Sequence, residues 1–198
     1  MLKYKICVGL DLSMAKTGFS LFTKTGIHMG SGVIKSPSKG YQGIRRIIRF
    51  EKMCRDLFSM LILLSSKKQL KKALFIIESY AFNKGPGQGM IMNIAEFGGL
   101  VRYYLHRNLR IDVSKQILEC PPQWPKMFAC GAGHAKKDMV MKDTFKRWGF
   151  EGEDDNEVDA YVMSRIGMEM IGGSGDKLIA KQLEVLEKAR DKMEEQNG

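Results

Sequence analysis

Two short, uninterrupted apolar runs, Ile6-Cys7-Val8-Gly9-Leu10 and Ala73-Leu74-Phe75-Ile76-Ile77, constrain this chain more than any other feature. A run with no polar residue has no side to offer to water, so each reads as a strand covered on both faces of a sheet. Helices must supply the covering layers, which places the chain in the α/β class. Each run ends in a carboxylate, Asp11 after the first and Glu78 after the second. A parallel or mixed sheet brings both acids to one rim.

The rest of the chain fits around these strands. Residues 18–23 alternate and turn through Lys24-Thr25-Gly26, and residues 27–34 return, predicting an antiparallel meander with the first strand. Ile44, Ile47, Ile48, Met53, Leu57, Phe58, Leu61 and Leu64 recur at helical spacing across residues 40–65. A second stripe, Ile94, Phe97, Val101 and Leu105, predicts a helix over residues 90–105, in which Gly98-Gly99 implies close packing against a neighbour. Between them, residues 83–89 are too rich in glycine and proline for regular structure. A strand over 116–120 stops at Pro121-Pro122, and a helix is expected over 136–148. Asp154 or Asp155 caps a helix running to residue 170. After Gly172-Gly173-Ser174-Gly175, a charged helix over 176–195 carries Ile179, Leu183, Leu186 and Met193 on one side. The expectation is a mixed five-stranded sheet flanked by helices, with one domain over residues 1–171 and a Gly-rich break and helical extension over 172–198.

With 32 Lys and Arg against 22 Asp and Glu, the formal charge is +10, spread along the chain. Such a field suits nucleic acid or an anionic membrane surface. The longest apolar stretch, residues 57–64, falls well short of the ~20 residues of a bilayer span, so no membrane crossing is expected. No leader-like segment precedes the first strand, so the expected location is the cytosol. Cys7, Cys54, Cys120 and Cys130, with His28, His106 and His134, show no zinc-ligand spacing and no disulfide framework. A metal here is therefore held by oxygen, which favours Mg²⁺, with Mn²⁺ as substitute. A third carboxylate, Asp159, sits in the helix-like run Asp155-Asn156-Glu157-Val158-Asp159-Ala160-Tyr161-Val162. Three converging acids on a basic protein point to a metal site that works on a polyanion.

Asp11-Leu12-Ser13 with Thr17-Gly18, then Glu78-Ser79-Tyr80-Ala81-Phe82, then Asp155-Asn156-Glu157-Val158-Asp159-Ala160, occur in the order used by RuvC-type Holliday junction resolvases. Over about residues 5–171 the chain resembles the versions carried by bacteriophages. The resemblance implies a ribonuclease H-like fold and a Mg²⁺-dependent endonuclease acting on four-way DNA junctions as a homodimer, in the cytoplasm of an infected bacterial host. It implies two ions, with Asp11 bridging both, Glu78 on one, and Asp159 with Asp155 or Asn156 on the other. The family places Asp or His three residues before its last acid. This chain has Asn156 there and Asp155 one step earlier, and on a helix both face the way Asp159 does.

The family also carries two lysines around a Gly-x-Gly-x-Ala turn, here Lys126 and Lys137 about Gly131-Ala132-Gly133-His134-Ala135. Lys137 is expected to stabilise developing charge, and Lys126 and Lys136 to contact phosphate. Tyr80, Phe82, Asn83 and Lys84 fall in the loop that probes bases at the junction centre in such enzymes. Arg45, Arg46 and Arg49 offer a basic stripe for DNA arms. Faces around Ile94, Phe97 and Val101, or from Ile179 to Met193, are the expected dimer contacts. Three other readings compete. One is a flap, fork or other branch endonuclease of the same fold, and another a junction-binding protein in which Asn156 has crippled catalysis. The third is a phosphate-binding ATPase or sugar kinase, whose first phosphate loop Gly9-Leu10-Asp11-Leu12-Ser13 resembles, although the chain is too short for the second domain those enzymes need.

Overall fold

The computed structural model describes residues 4–37, 45–79 and 88–196. Strands β1 (Ile6–Asp11), β2 (Lys16–Thr23) and β3 (His28–Lys35) form the antiparallel meander. Strand β4 (Ala73–Glu78) runs parallel to β1, and β5 (Ile117–Cys120) parallel to β4, giving the order β3-β2-β1-β4-β5. The two apolar runs are thus neighbours, with β1 at the centre. Their register pairs Leu10 with Ile77, so the next residues, Asp11 and Glu78, leave the sheet side by side.

Helices α1 (Arg46–Leu64) and α3 (Gln88–Leu109) cover one face. There Phe50, Leu57, Leu61, Phe97, Val101 and Leu105 meet Val8, Leu10, Phe19 and Phe75. The short α2 (Lys67–Leu70) and α4 (Val113–Gln116) lead into β4 and β5. The other face is covered by α5 (Gln123–Cys130), α6 (Lys137–Trp148), α7 (Asp155–Ile171) and α8 (Ala180–Glu195). Cys7, Phe22, Leu74, Ile76 and Leu118 of the sheet meet Phe128, Val162, Ile166, Val185 and Leu186 there.

Helix α7 crosses β1 and β2 with backbone nearly against backbone. A Cβ on Gly9 would lie 2.1 Å from the Ala160 carbonyl oxygen, and one on Gly18 only 1.9 Å from that of Asn156. Small residues are the means of approach. Further along, the Ser164 hydroxyl donates to the Ser20 hydroxyl at 3.0 Å, and Gly167 passes over Cys7 and Ile76.

Several sequence expectations need correction. Helix α5 follows directly on Pro121-Pro122, where the sequence reading has only the end of a strand. Pro125 lies in the first turn, where an N–H has no partner within the helix to lose. Phe97 and Val101 are buried against α1 and the sheet, with the Phe50 and Phe97 ring centroids 5.1 Å apart, so they are core and not a dimer surface. Gly99 has open space where a Cβ would stand, so close packing does not explain it. On α8 the buried face is Gln182, Val185, Leu186 and Ala189, while Ile179 and Leu183 are exposed. Gln182 draws the helix round by donating to the Phe128 carbonyl at 3.1 Å. Residues 40–44 of the first expected helix and 83–87 of the loop lie outside the described residues. No helix among the described residues is long and apolar enough to cross a membrane.

Candidate active site

Strand alternation decides which way the acids face. Cys7, Gly9 and Asp11 share one face of β1, and Leu74, Ile76 and Glu78 share the same face of β4. That is the face α7 covers. Because Ala160 sits on Gly9 and Asn156 on Gly18, the first turns of α7 lie over the end of β1, which brings Asp159 within reach of Asp11 and Glu78. The three carboxylates converge because the glycines let the helix down onto the sheet.

Their electrostatics record the crowding. Burial, with Asp11 only 8% exposed, drives its carboxyl well above the usual range. The charge of Glu78, a hydrogen bond with it, and the charge of Asp159 push the same way, while Lys137 opposes them. Asp159 is pushed up to about 6 by burial and then by Glu78, against the pull of Lys137 and Lys126. Like charges held together out of water call for a cation. Among the described residues, no group of three or more acid, histidine or cysteine side chains is gathered to hold one ion. Mg²⁺ fits this arrangement, since it commonly takes one or two carboxylates and fills its shell with water and substrate phosphate oxygens. Asp11, Glu78 and Asp159 are the carboxylates from which such a set would be drawn. The four cysteines are free, and burial raises the thiol of each, including Cys120, which stands opposite Glu78 in the sheet.

The start of α7 separates the two residues that compete for the position before Asp159. Asp155 forms an ion pair with Lys137 at the start of α6, and its charge is felt at Asp159. Asn156 donates its side-chain amide to the Lys16 carbonyl at 2.8 Å. Lys16 in turn pairs with Asp154, the residue that caps α7 by accepting from the Asn156 N–H at 3.0 Å. This second attachment ties β2 to the helix bearing Asp159. Sequence reasoning does not reach Lys16, and it reads Asp154 only as a cap.

Of the remaining candidates, Lys126 lies on α5 close enough for its charge to reach Asp159, and exposed Lys136 immediately precedes α6. Arg45 is exposed at the start of α1. Arg46 pairs with Glu96 of α3 at 2.6 Å. Arg49 lies over the Phe50 ring, its guanidinium carbon 5.3 Å from the centroid. Tyr80, Phe82, Asn83 and Lys84 lie outside the described residues.

No protein-family model matches the chain. In sequence it is similar to the crossover junction endodeoxyribonuclease RuvC of Prochlorococcus marinus, 23% identical over 169 residues that cover 82% of this chain and 97% of that protein. In structure it is similar to Thermus thermophilus RuvC, with a TM-score of 0.57 and 15% identity over 80% of this chain and 90% of that one. Thermus thermophilus RuvC in complex with a Holliday junction substrate gives a TM-score of 0.58 and 11% identity over 81% and 91% of the two chains. The yeast mitochondrial Holliday junction resolvase Ydc2 gives 0.53 and 10% over 98% and 84%. The fold is the one these resolvases share, as the resemblance in sequence led one to expect.

Proposed function

We propose that this protein is a divalent-metal-dependent endonuclease that resolves four-way DNA junctions, acting as a homodimer. The observation that carries the reading is the meeting of Asp11, Glu78 and Asp159 on one rim of a RuvC-like fold, in a chain of charge +10. Asp11, Glu78 and Asp159, with Asp155 or Asn156 beside the last, are the residues that would hold the ions. Two Mg²⁺ ions would supply the activation of water and the stabilisation of the leaving oxygen that phosphodiester hydrolysis requires. The protein's own part is to hold the acids at fixed spacing and to keep cations at the rim. Lys137, paired with Asp155 and sensed by Asp11 and Asp159, would stabilise negative charge developing on a phosphate oxygen. Lys126 and Lys136 extend this positive margin toward the DNA backbone. Tyr80, Phe82, Asn83 and Lys84, in the loop after Glu78, are proposed to meet the bases at the junction centre, and Arg45 to contact an arm.

Resolution takes two nicks on opposed strands, which a two-fold pair of chains delivers. With Phe97 and Val101 in the core, the surface of α3 open to a second copy carries Met92 and Tyr103, respectively 71% and 60% exposed. Sedimentation at micromolar concentration is expected to show a dimer that Tyr103→Glu converts to monomer.

The direct test incubates the purified protein with labelled four-way junction, fork, flap and linear duplex of matched arms, with Mg²⁺, Mn²⁺, Ca²⁺ or chelator. Junction cleavage with Mg²⁺ or Mn²⁺, binding without turnover with Ca²⁺, and a Mg²⁺-dependent rise in melting temperature that Asp11→Asn abolishes are the expected results. Cleavage confined to forks or flaps would assign the same chemistry to another branched substrate. Junction binding with no cleavage under any metal would leave a binding protein.

A further inference from the structure

The rim of the sheet opposite the carboxylates is built from lysine. Because β1 and β4 run parallel, the residues preceding them, Lys5 and Lys72, emerge together there, and the Lys5 N–H donates to the Lys72 carbonyl at 2.9 Å. Lys24, just beyond β2, joins them through its N–H, which donates to the Lys5 carbonyl at 3.0 Å. Helix α2 and the turn after it add Lys67, Lys68 and Lys71. Buried Leu70 and the capping box between Ser66 and Gln69 fix that helix. Within α2 an inward Leu70 turns Lys68 outward, and exposed Lys71 and Lys72 follow in the turn into β4.

All six lysines are exposed, and none forms an ion pair among the described residues. Six like charges gathered on one rim repel one another until a polyanion neutralises them. Lysine contacts phosphate as a flexible point charge without regard to sequence. Protein interfaces instead centre on aromatic and arginine side chains, with lysine depleted. The exposed apolar residues nearest in sequence are Ile27 on one side and Ile62 with Leu63 on the other, with no aromatic or arginine side chain among them. At ~3.3 Å per strand residue, Lys5 and Asp11 stand about 20 Å apart along β1, too far for one phosphate contact to serve both rims.

We propose that this lysine rim is a second, non-catalytic binding surface for the phosphate backbone of duplex DNA. One chain then holds a duplex segment remote from the one on its carboxylates and can bridge two segments. The inference goes beyond cleavage and concerns binding alone, so it fails or stands independently of the resolvase reading.

The test uses the full chain in chelator. Protein is loaded on a bead-held linear duplex, and a fluorescent duplex of unrelated sequence is offered at near-physiological salt. Wild type is expected to capture the second duplex, and Lys68→Glu/Lys71→Glu/Lys72→Glu to reduce capture about ten-fold and lower the log–log salt slope by about 2–3. A control with the same charge change on α8, Lys181→Glu/Lys188→Glu/Arg190→Glu, should retain capture. The neutral triple Lys→Gln at the three rim positions should lower the slope by about the same 2–3 with a smaller loss of capture, and unchanged melting temperatures exclude misfolding. Equal loss in rim and control variants would trace the effect to net charge and overturn the proposal. So would no capture by wild type, or capture of polyglutamate in place of duplex, which would assign the rim to an acidic protein.

Discussion

The two faces of the sheet are packed by opposite means. On the α1 and α3 side, rings and branched side chains such as Phe50, Phe97 and Leu61 interdigitate with the strands. On the α7 side, Gly9, Gly18 and Ser20 of the sheet meet Asn156, Ala160 and Ser164 of the helix with little side chain between them. A layer of large side chains absorbs small shifts by changing rotamers, whereas two backbones in contact cannot. All three carboxylates belong to the rigid side. The fold has put its tolerance where there is only packing and its intolerance where charges must be held at fixed spacing.

The largest effect should come from the acids themselves. Asp11→Asn, Glu78→Gln and Asp159→Asn are each expected to slow junction cleavage on the order of ten-thousand-fold, about 5.5 kcal/mol, with affinity for the junction changed only a few-fold. Full activity in any one of them removes that residue from the site. The same change should strengthen the fold. Asp159 titrates near 6 in the folded protein and, with the ordinary Asp value, near 4 when unfolded. As pH rises through that window the unfolded chain releases its proton first, so stability is lost and stays lost above it. In metal-free buffer Asp159→Asn should therefore melt about 5–10 °C above the parent at pH 7 and show little gain at pH 4. A lower melting temperature at pH 7 would mean that the acids are not under electrostatic strain.

Next come substitutions that set one face against the other. Phe97→Ala should cost about 3–5 kcal/mol of stability by leaving a cavity, yet alter the Mg²⁺ concentration for half-maximal cleavage by less than about two-fold. Gly9→Ala should cost about 1–3 kcal/mol through overpacking, and because it lifts α7 it should also raise the Mg²⁺ requirement several-fold. If the two variants shift metal dependence equally, the contrast between the faces has no functional content. Smaller again is the pair at the start of α7. Asp155→Ala removes the charge beside Asp159 and the partner of Lys137, so it should weaken Mg²⁺ use. Asn156→Ala should cost about 1 kcal/mol of stability by losing its hydrogen bond to Lys16, and change Mg²⁺ use less. The reverse ranking would return Asn156 to the metal.

The apolar face of the molecule was the less legible one, although it follows the simpler rule. Phe97 and Val101 were recognised as a stripe, but a stripe states only that something covers it. Whether the cover is α1 or a second copy of the chain depends on tertiary packing. Asp11, Glu78 and Asp159 could be read because strand ends and a helical run place charged residues locally, and the resemblance supplied their order. What stayed hidden was the close approach of α7. Gly9 looks like any glycine in a strand until the Ala160 carbonyl is seen 2.1 Å from its missing Cβ. Helix α5 is hard to read because proline disrupts a helix interior but is harmless in a first turn, and Pro125 does not by itself say which of the two it occupies.

The smallest expected effect is the sharpest test of the comparison, because it puts the same substitution on both faces. Gly99 lies on the outer side of α3, where a Cβ meets nothing within 4 Å. Its backbone is that of an ordinary α-helix, with no positive φ, so alanine is sterically free to replace it. Glycine there weakens the helix by leaving the unfolded chain more freedom, a cost of ~1 kcal/mol that alanine removes. Gly99→Ala should thus raise the melting temperature by about 2–4 °C in a chain of this size, where Gly9→Ala lowers it. The measurement is thermal unfolding followed by circular dichroism, with sedimentation run alongside, since Gly99 shares its face of α3 with Tyr103 and a methyl group there would also touch a second copy. A stabilised dimer is the expected outcome. A stabilised chain that sediments as a monomer, while the parent is a dimer, would place Gly99 inside the dimer contact and give this glycine the close approach that the chain's own fold does not. A destabilised monomer would contradict the open space around it.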